Sequence, residues 1–130
     1  MRYLLCLAGG VLIGALLALT AASTLQRRNA WPRAVMNVMQ HELGQARETL
    51  RLGRCADASL TVSRSHLALL SDDLERALLD PGTKDRVFAK YAQDLRDTVA
   101  AWDPQAECGR QAEALSAVSQ ACDACHRDYR

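Results

Sequence analysis

Gln111-Ala-Glu-Ala-Leu115-Ser-Ala-Val118-Ser-Gln-Ala-Cys122-Asp-Ala-Cys125-His126-Arg-Asp-Tyr129-Arg130 runs to the last of the 130 residues. Ala112, Leu115, Val118, Cys122 and Cys125 recur at spacings of three and four, which puts them on one face of a helix. Two thiols three residues apart on that face, followed at once by an imidazole, form the pattern that covalent haem attachment requires. The cysteines add across the two vinyl groups of the porphyrin. The adjacent histidine turns under the ring to bind iron axially. The sequence therefore predicts one covalently attached haem c, held by Cys122 and Cys125 with His126 as proximal iron ligand. CxxC pairs also serve zinc sites and redox thiols. Zinc would want further Cys, His or carboxylate ligands, and no second CxxC or His pair supplies them. A thioredoxin-like thiol pair expects a βαβ unit, and no strand pattern occurs.

Upstream of this stretch, three more amphipathic segments can be read. Trp31-Pro32 opens the first, with proline where its missing N–H is harmless. Met36, Met39, Leu43, Ala46 and Leu50 form its stripe, and Gly53 caps its end. Asp57 or Ser59 caps the second, striped by Leu60, Ser63, Leu67, Leu70, Leu74 and Leu78. After the break at Asp80-Pro81-Gly82, Thr83 caps a third that carries Phe88, Tyr91, Leu95, Thr98 or Val99, and Trp102. Asp103-Pro104 starts the fourth. Short connections make sequential helices antiparallel. The expected fold is all-α: an antiparallel up-down-up-down four-helix bundle over residues 30–130, preceded by an N-terminal hydrophobic helix within residues 1–29.

That leader carries no charge from Tyr3 to Leu25. It reads either as a secretory signal, cleaved after Thr20-Ala21-Ala22, or as an uncleaved membrane anchor. Its apolar run is longer than a usual signal core and favours the anchor, whereas Arg27 and Arg28 on the exported side oppose it. Both readings deliver the domain to the periplasm, soluble or tethered to the inner membrane by residues 3–25. Cys6 has no small-residue lipobox before it and carries no lipidation proposal. With a net charge of +1, nothing in the composition suggests nucleic-acid binding, which would want a basic face. Of the five cysteines, Cys55 follows the first helix and Cys108 starts the fourth, at the same end of an antiparallel bundle. A Cys55–Cys108 disulfide is the expectation in an oxidising compartment.

A four-helix bundle with CxxCH in its last turns resembles the cytochrome c′ family, including its low-spin members. Cys122-Asp-Ala-Cys125-His126-Arg-Asp-Tyr129-Arg130 is similar to that family's CxxCHxxYR ending. Trp31-Pro-Arg-Ala-Val-Met36-Asn-Val-Met39-Gln-His-Glu-Leu-Gly44 resembles its first helix, in which the residue five after the aromatic lies over the distal haem face. Pro32 stands where the family has a basic residue, and Arg33 follows it. The resemblance implies that Met36 holds the distal position and that a homodimer forms. Methionine opposite histidine binds haem iron and raises its potential; Met39, one turn on, is the second candidate, and an apolar distal face is the third. His41 and His66 lie off the ligand stripe. Arg130 and Arg33 are candidate partners for the haem propionates, because guanidinium suits carboxylates. The functional expectation is a one-electron carrier serving redox proteins of a respiratory chain. The alternative is a five-coordinate cytochrome c′ that binds nitric oxide or carbon monoxide, and a third reading is a structural helical module. No general acid, base or nucleophile constellation argues for an enzyme.

Overall fold

The computed structural model describes residues 2–129; the side chains of residues 2, 4–8 and 25–29, Cys6 among them, lie outside that description. The fold is all-α, without a strand among the described residues, and its elements are α1 (Arg2–Arg51), α2 (Ala58–Asp72), α3 (Leu74–Leu78), α4 (Arg86–Ala101) and α5 (Cys108–Asp128). The chain divides into two units, Met1–Arg33 and Ala34–Arg130.

In the N-terminal unit α1 is helical through the apolar run, and Val11, Leu12, Ile13, Leu16, Leu17 and Leu19 are each 61–67% exposed. Among the described residues no helix is long and apolar enough to cross a membrane. Pro32 does not start the helix, as its sequence position predicts, but sits inside it. The Ala- and Leu-rich residues before it form helix strongly enough to outweigh the one backbone bond that proline cannot donate.

In the second unit the helices close on a single apolar core. Val35, Met39, Leu43 and Ala46 of α1, Leu60 and Leu67 of α2, Leu74 and Ala77 of α3, Phe88, Ala92, Leu95 and Val99 of α4, Trp102, and Leu115 and Val118 of α5 are all buried in it. α4 packs against α2, α3 and α5. The helix ends follow from local chemistry. Gly53, at φ +70°, ends α1: its N–H bonds Leu50 O at 2.9 Å, and Arg54 N–H bonds Thr49 O at 3.1 Å. This is the double closure that a left-handed glycine permits. Asp57 caps α2 through Ser59 N–H. Gly82, at φ +85°, follows Pro81 in a turn closed by Thr83 N–H to Asp80 O at 2.9 Å.

Several boundaries differ from expectation. Asp85, not Thr83, caps α4, because its carboxylate takes both Val87 N–H and Phe88 N–H while Thr83 is used in the turn. The second stripe is broken at Asp73, which separates α2 from α3. Asp103-Pro104 forms a turn, and α5 begins at Cys108. Within α5, Ala112 is exposed and Gln111 is buried in its place. Gln111 Nε2 donates to Cys55 O at 2.8 Å and Ala106 O at 2.7 Å, satisfying loop carbonyls that no helix could. Arg64 donates to Trp102 O at 2.7 Å and Ala100 O at 3.1 Å, and so brings a cation from α2 to the C-terminal end of α4.

Cys55 and Cys108 form a disulfide with their Cα atoms 5.4 Å apart. It joins the loop after α1 to the first residue of α5, as the sequence predicts.

Candidate haem-binding cavity

At the other end of α5, Cys122, Cys125 and His126 line a cavity of about 290 Å³. At roughly 100° per residue, positions i, i+3 and i+4 fall within one arc of a helix, so the motif delivers two sulfurs and one imidazole to the same wall. α1 supplies Met36, Met39, Gln40, Leu43 and Arg47 at the same helical spacing. Leu67, Leu74, Phe88, Ala92 and Leu95 make the apolar lining, with Tyr91 beside them. Asp123 and His126 are exposed, so the cavity opens to solvent along that edge.

The two motif thiols are free and half-buried. Burial pushes the Cys122 thiol up from its ordinary pKa; Asp123 and Cys125 add to this, and Arg47 partly opposes it. Burial likewise raises the Cys125 thiol. Among the described residues no group of three or more His, Cys, Asp or Glu side chains converges as a metal set.

The sequence candidates fall in different places. Cys122, Cys125, His126, Met36 and Met39 are brought to one cavity. Met39 is buried at 5% exposure, while Met36 is half-buried. Arg33 is exposed and belongs to the N-terminal unit. Arg130 lies outside the described residues. His41 is exposed; His66 Nδ1 lies 2.7 Å from Glu42 Oε1, on a carboxylate that also accepts from Ser63 at 2.8 Å. Burial would raise the Glu42 carboxyl, but the His66 and Ser63 contacts outweigh it and hold it low.

Arg47 is the charged cavity residue that the sequence reading missed, along with Gln40, Ala92 and Ser119. It stands four residues after Leu43, on the edge of the α1 stripe, and that spacing was the available signal. Phe88 and Tyr91 were legible as core positions but not as cavity walls. The residues present fit a haem by donor chemistry: two thiols and an imidazole on one helix, soft thioethers from another, and apolar walls between.

No protein-family model matches the chain, and neither the curated proteins nor the solved structures offer a match.

Proposed function

We propose that the second unit is an exported c-type cytochrome that carries single electrons. The observation that carries this reading is the convergence of Cys122, Cys125 and His126 with Met36 and Met39 on one largely apolar cavity. Cys122 and Cys125 would hold the porphyrin as thioethers, His126 would bind the iron from the α5 side, and Met36 would face it from α1, with Met39 as the second candidate. Bound haem supplies a one-electron Fe(III)/Fe(II) couple. The chain's own residues shape that couple. The apolar side chains of α2, α3 and α4 exclude water and lower the local dielectric, which favours the less charged state. Arg47, on the cavity wall, would offer its guanidinium to a carboxylate of the porphyrin. With Met36 or Met39 as a ligand, the iron would keep no open site for a diatomic gas. A distal face without methionine would instead give the gas-binding reading.

The helix order and the stripes support the finer architecture, an antiparallel up-down-up-down four-helix bundle in which α2 and α3 together act as the second helix. Localisation in the periplasm is supported by two observations. The Cys55–Cys108 disulfide suits an oxidising compartment. The apolar side chains of residues 11–19 are exposed all around α1, a surface that a lipid bilayer or a signal-recognition step would cover. The expected partners are redox proteins of a respiratory chain, and a homodimer remains part of the proposal.

The absorption spectrum of the purified full chain tests the reading. A Soret band that stays with the polypeptide after acid–acetone extraction, with a far-red sulfur-to-iron band in the oxidised protein, is expected. No Soret band would sink the haem reading; a high-spin oxidised spectrum would sink methionine ligation and favour the gas binder.

A further inference from the structure

The last turn of α5 carries His126, and a helix end is where backbone carbonyls lose their partners and fray. Two tyrosine hydroxyls cross between α4 and α5 at this end, in opposite directions. Tyr129, which follows α5, donates to Asp85 Oδ2 at 2.7 Å. Tyr91 of α4 donates to Asp128 Oδ2 of α5 at 2.6 Å. Each carboxylate is tied to a helix end. The other oxygen of Asp85 accepts Val87 N–H and Phe88 N–H, so the group that receives Tyr129 also caps α4. Tyr129 N–H bonds Cys125 O at 2.9 Å, closing the turn that contains His126. The rings add a second layer. Tyr129 meets Phe88 edge-on, with centroids 5.2 Å apart and planes at 84°, and meets Tyr91 at 6.2 Å and 76°. Hydrogen bonds to a charged acceptor are shorter and stronger than neutral ones, and edge-to-face rings fix orientation as well as distance.

We infer that these crossed tyrosine–aspartate bonds form a bracket fastening the final turn of α5 to α4, and that Tyr91 and Tyr129 are positioning residues for His126. The inference rests on the haem reading above. The bracket acts on the imidazole through the backbone: Tyr129 is three residues beyond His126 and Asp128 two, so both sides of the bracket grip the turn just past the ligand. Phe88 and Tyr91 also line the cavity. The same rings that hold the turn therefore form the wall beside which the imidazole must stand.

The test compares the full-length wild type with Tyr129→Phe and with the double variant Tyr91→Phe/Tyr129→Phe, which keep every ring and remove only hydroxyls. Amide hydrogen exchange at residues 125–129 is expected to quicken about ten-fold in the double variant while α2 is unchanged. In guanidinium titrations of haem-loaded protein, the Soret change and the loss of helical circular dichroism coincide in wild type. In the double variant the Soret change is expected to move to lower denaturant, ahead of the helix signal. Exchange that is unaltered, or quickened evenly through all helices, would overturn the bracket; so would coincident Soret and helix transitions in the variant. A wild type without any Soret band would fail the haem reading alone, and the exchange measurement would then still decide whether the bracket holds the turn.

Discussion

Replacing both Cys55 and Cys108 by serine should destabilise the protein without altering the cavity end. Cys108 is exposed and Cys55 half-buried, so little packing is lost in the folded state, and the effect falls on the unfolded chain. The bridge spans a sequence separation of 53 residues. In the chain-entropy description, freeing a loop of that length returns about 14 cal/mol/K to the unfolded state, or about 4 kcal/mol at 25 °C. Against a usual total of about 5–15 kcal/mol, that is a large share. For a domain near 100 residues each kcal/mol moves Tm by about 4–8 °C, so a fall of roughly 16–32 °C is expected. Thermal melts followed by circular dichroism, at equal haem loading, measure it. A double variant melting within about 5 °C of the oxidised wild type would refute the reasoning. So would two alkylatable thiols among Cys55 and Cys108 in unreduced protein.

Four further outcomes follow from named residues. Met36→Leu should convert a low-spin oxidised spectrum to high-spin, whereas Met39→Leu should leave the spin state unchanged; the reverse pattern would move the sixth ligand to Met39. Leu60→Ala, at a site with 0% exposure, should destabilise by about 2–5 kcal/mol in denaturant melts, while Leu69→Ala, 67% exposed, should stay within about 0.5 kcal/mol. The Phe88 N–H, followed by the Tyr129 hydroxyl, holds the Asp85 carboxyl below its ordinary range. Its stabilising contribution is thus complete above the unfolded value of about 4 and disappears as pH falls through the lower folded value. The gap between wild type and Asp85→Ala should accordingly narrow as acid is added, and a gap that widens would contradict the assignment. Hydrogen bonding to Asp85 raises the Tyr129 phenol to about 12. Its contribution is full below an unfolded value of about 10 and is lost as pH rises through about 12; ultraviolet titration should show a late tyrosine that Tyr129→Phe deletes.

The helices were legible wherever an apolar residue returned every third or fourth position. Leu60, Ser63, Leu67 and Leu74, then Phe88, Leu95, Val99 and Trp102, then Leu115 and Val118 are buried as their spacing predicts. The Cys55–Cys108 pair was legible because helix ends, unlike side-chain contacts, can be placed from breaks alone. What could not be read depends on partners distant in sequence. Gln111 looks like a surface amide until the carbonyls of Cys55 and Ala106 come within its reach. Arg64 and Arg96 resemble solvated cations, yet they donate to backbone oxygens of Trp102 and Ser71 across the helix interface. Thr83 and Asp85 are both good caps, and only the turn that consumes Thr83 decides between them. At the cavity, the motif singled out Cys122, Cys125 and His126 by their chemistry, and the stripe offered Met36 and Met39 together. Arg47, Phe88 and Tyr91 gained a place at the cavity only once three helices had packed.

α5 also serves as a ruler that sorts sulfur. Four cysteines of the second unit resolve into one bridged pair, Cys55–Cys108, and one free pair, Cys122 and Cys125, although chemistry alone offers several pairings. Fourteen residues of helix separate Cys108 from Cys122, about 21 Å at 1.5 Å per residue. A disulfide reaches across only about 4.4–6.8 Å between Cα atoms. Once α5 has formed, Cys108 can no longer mispair with Cys122 or Cys125, and its one reachable partner among these cysteines is Cys55.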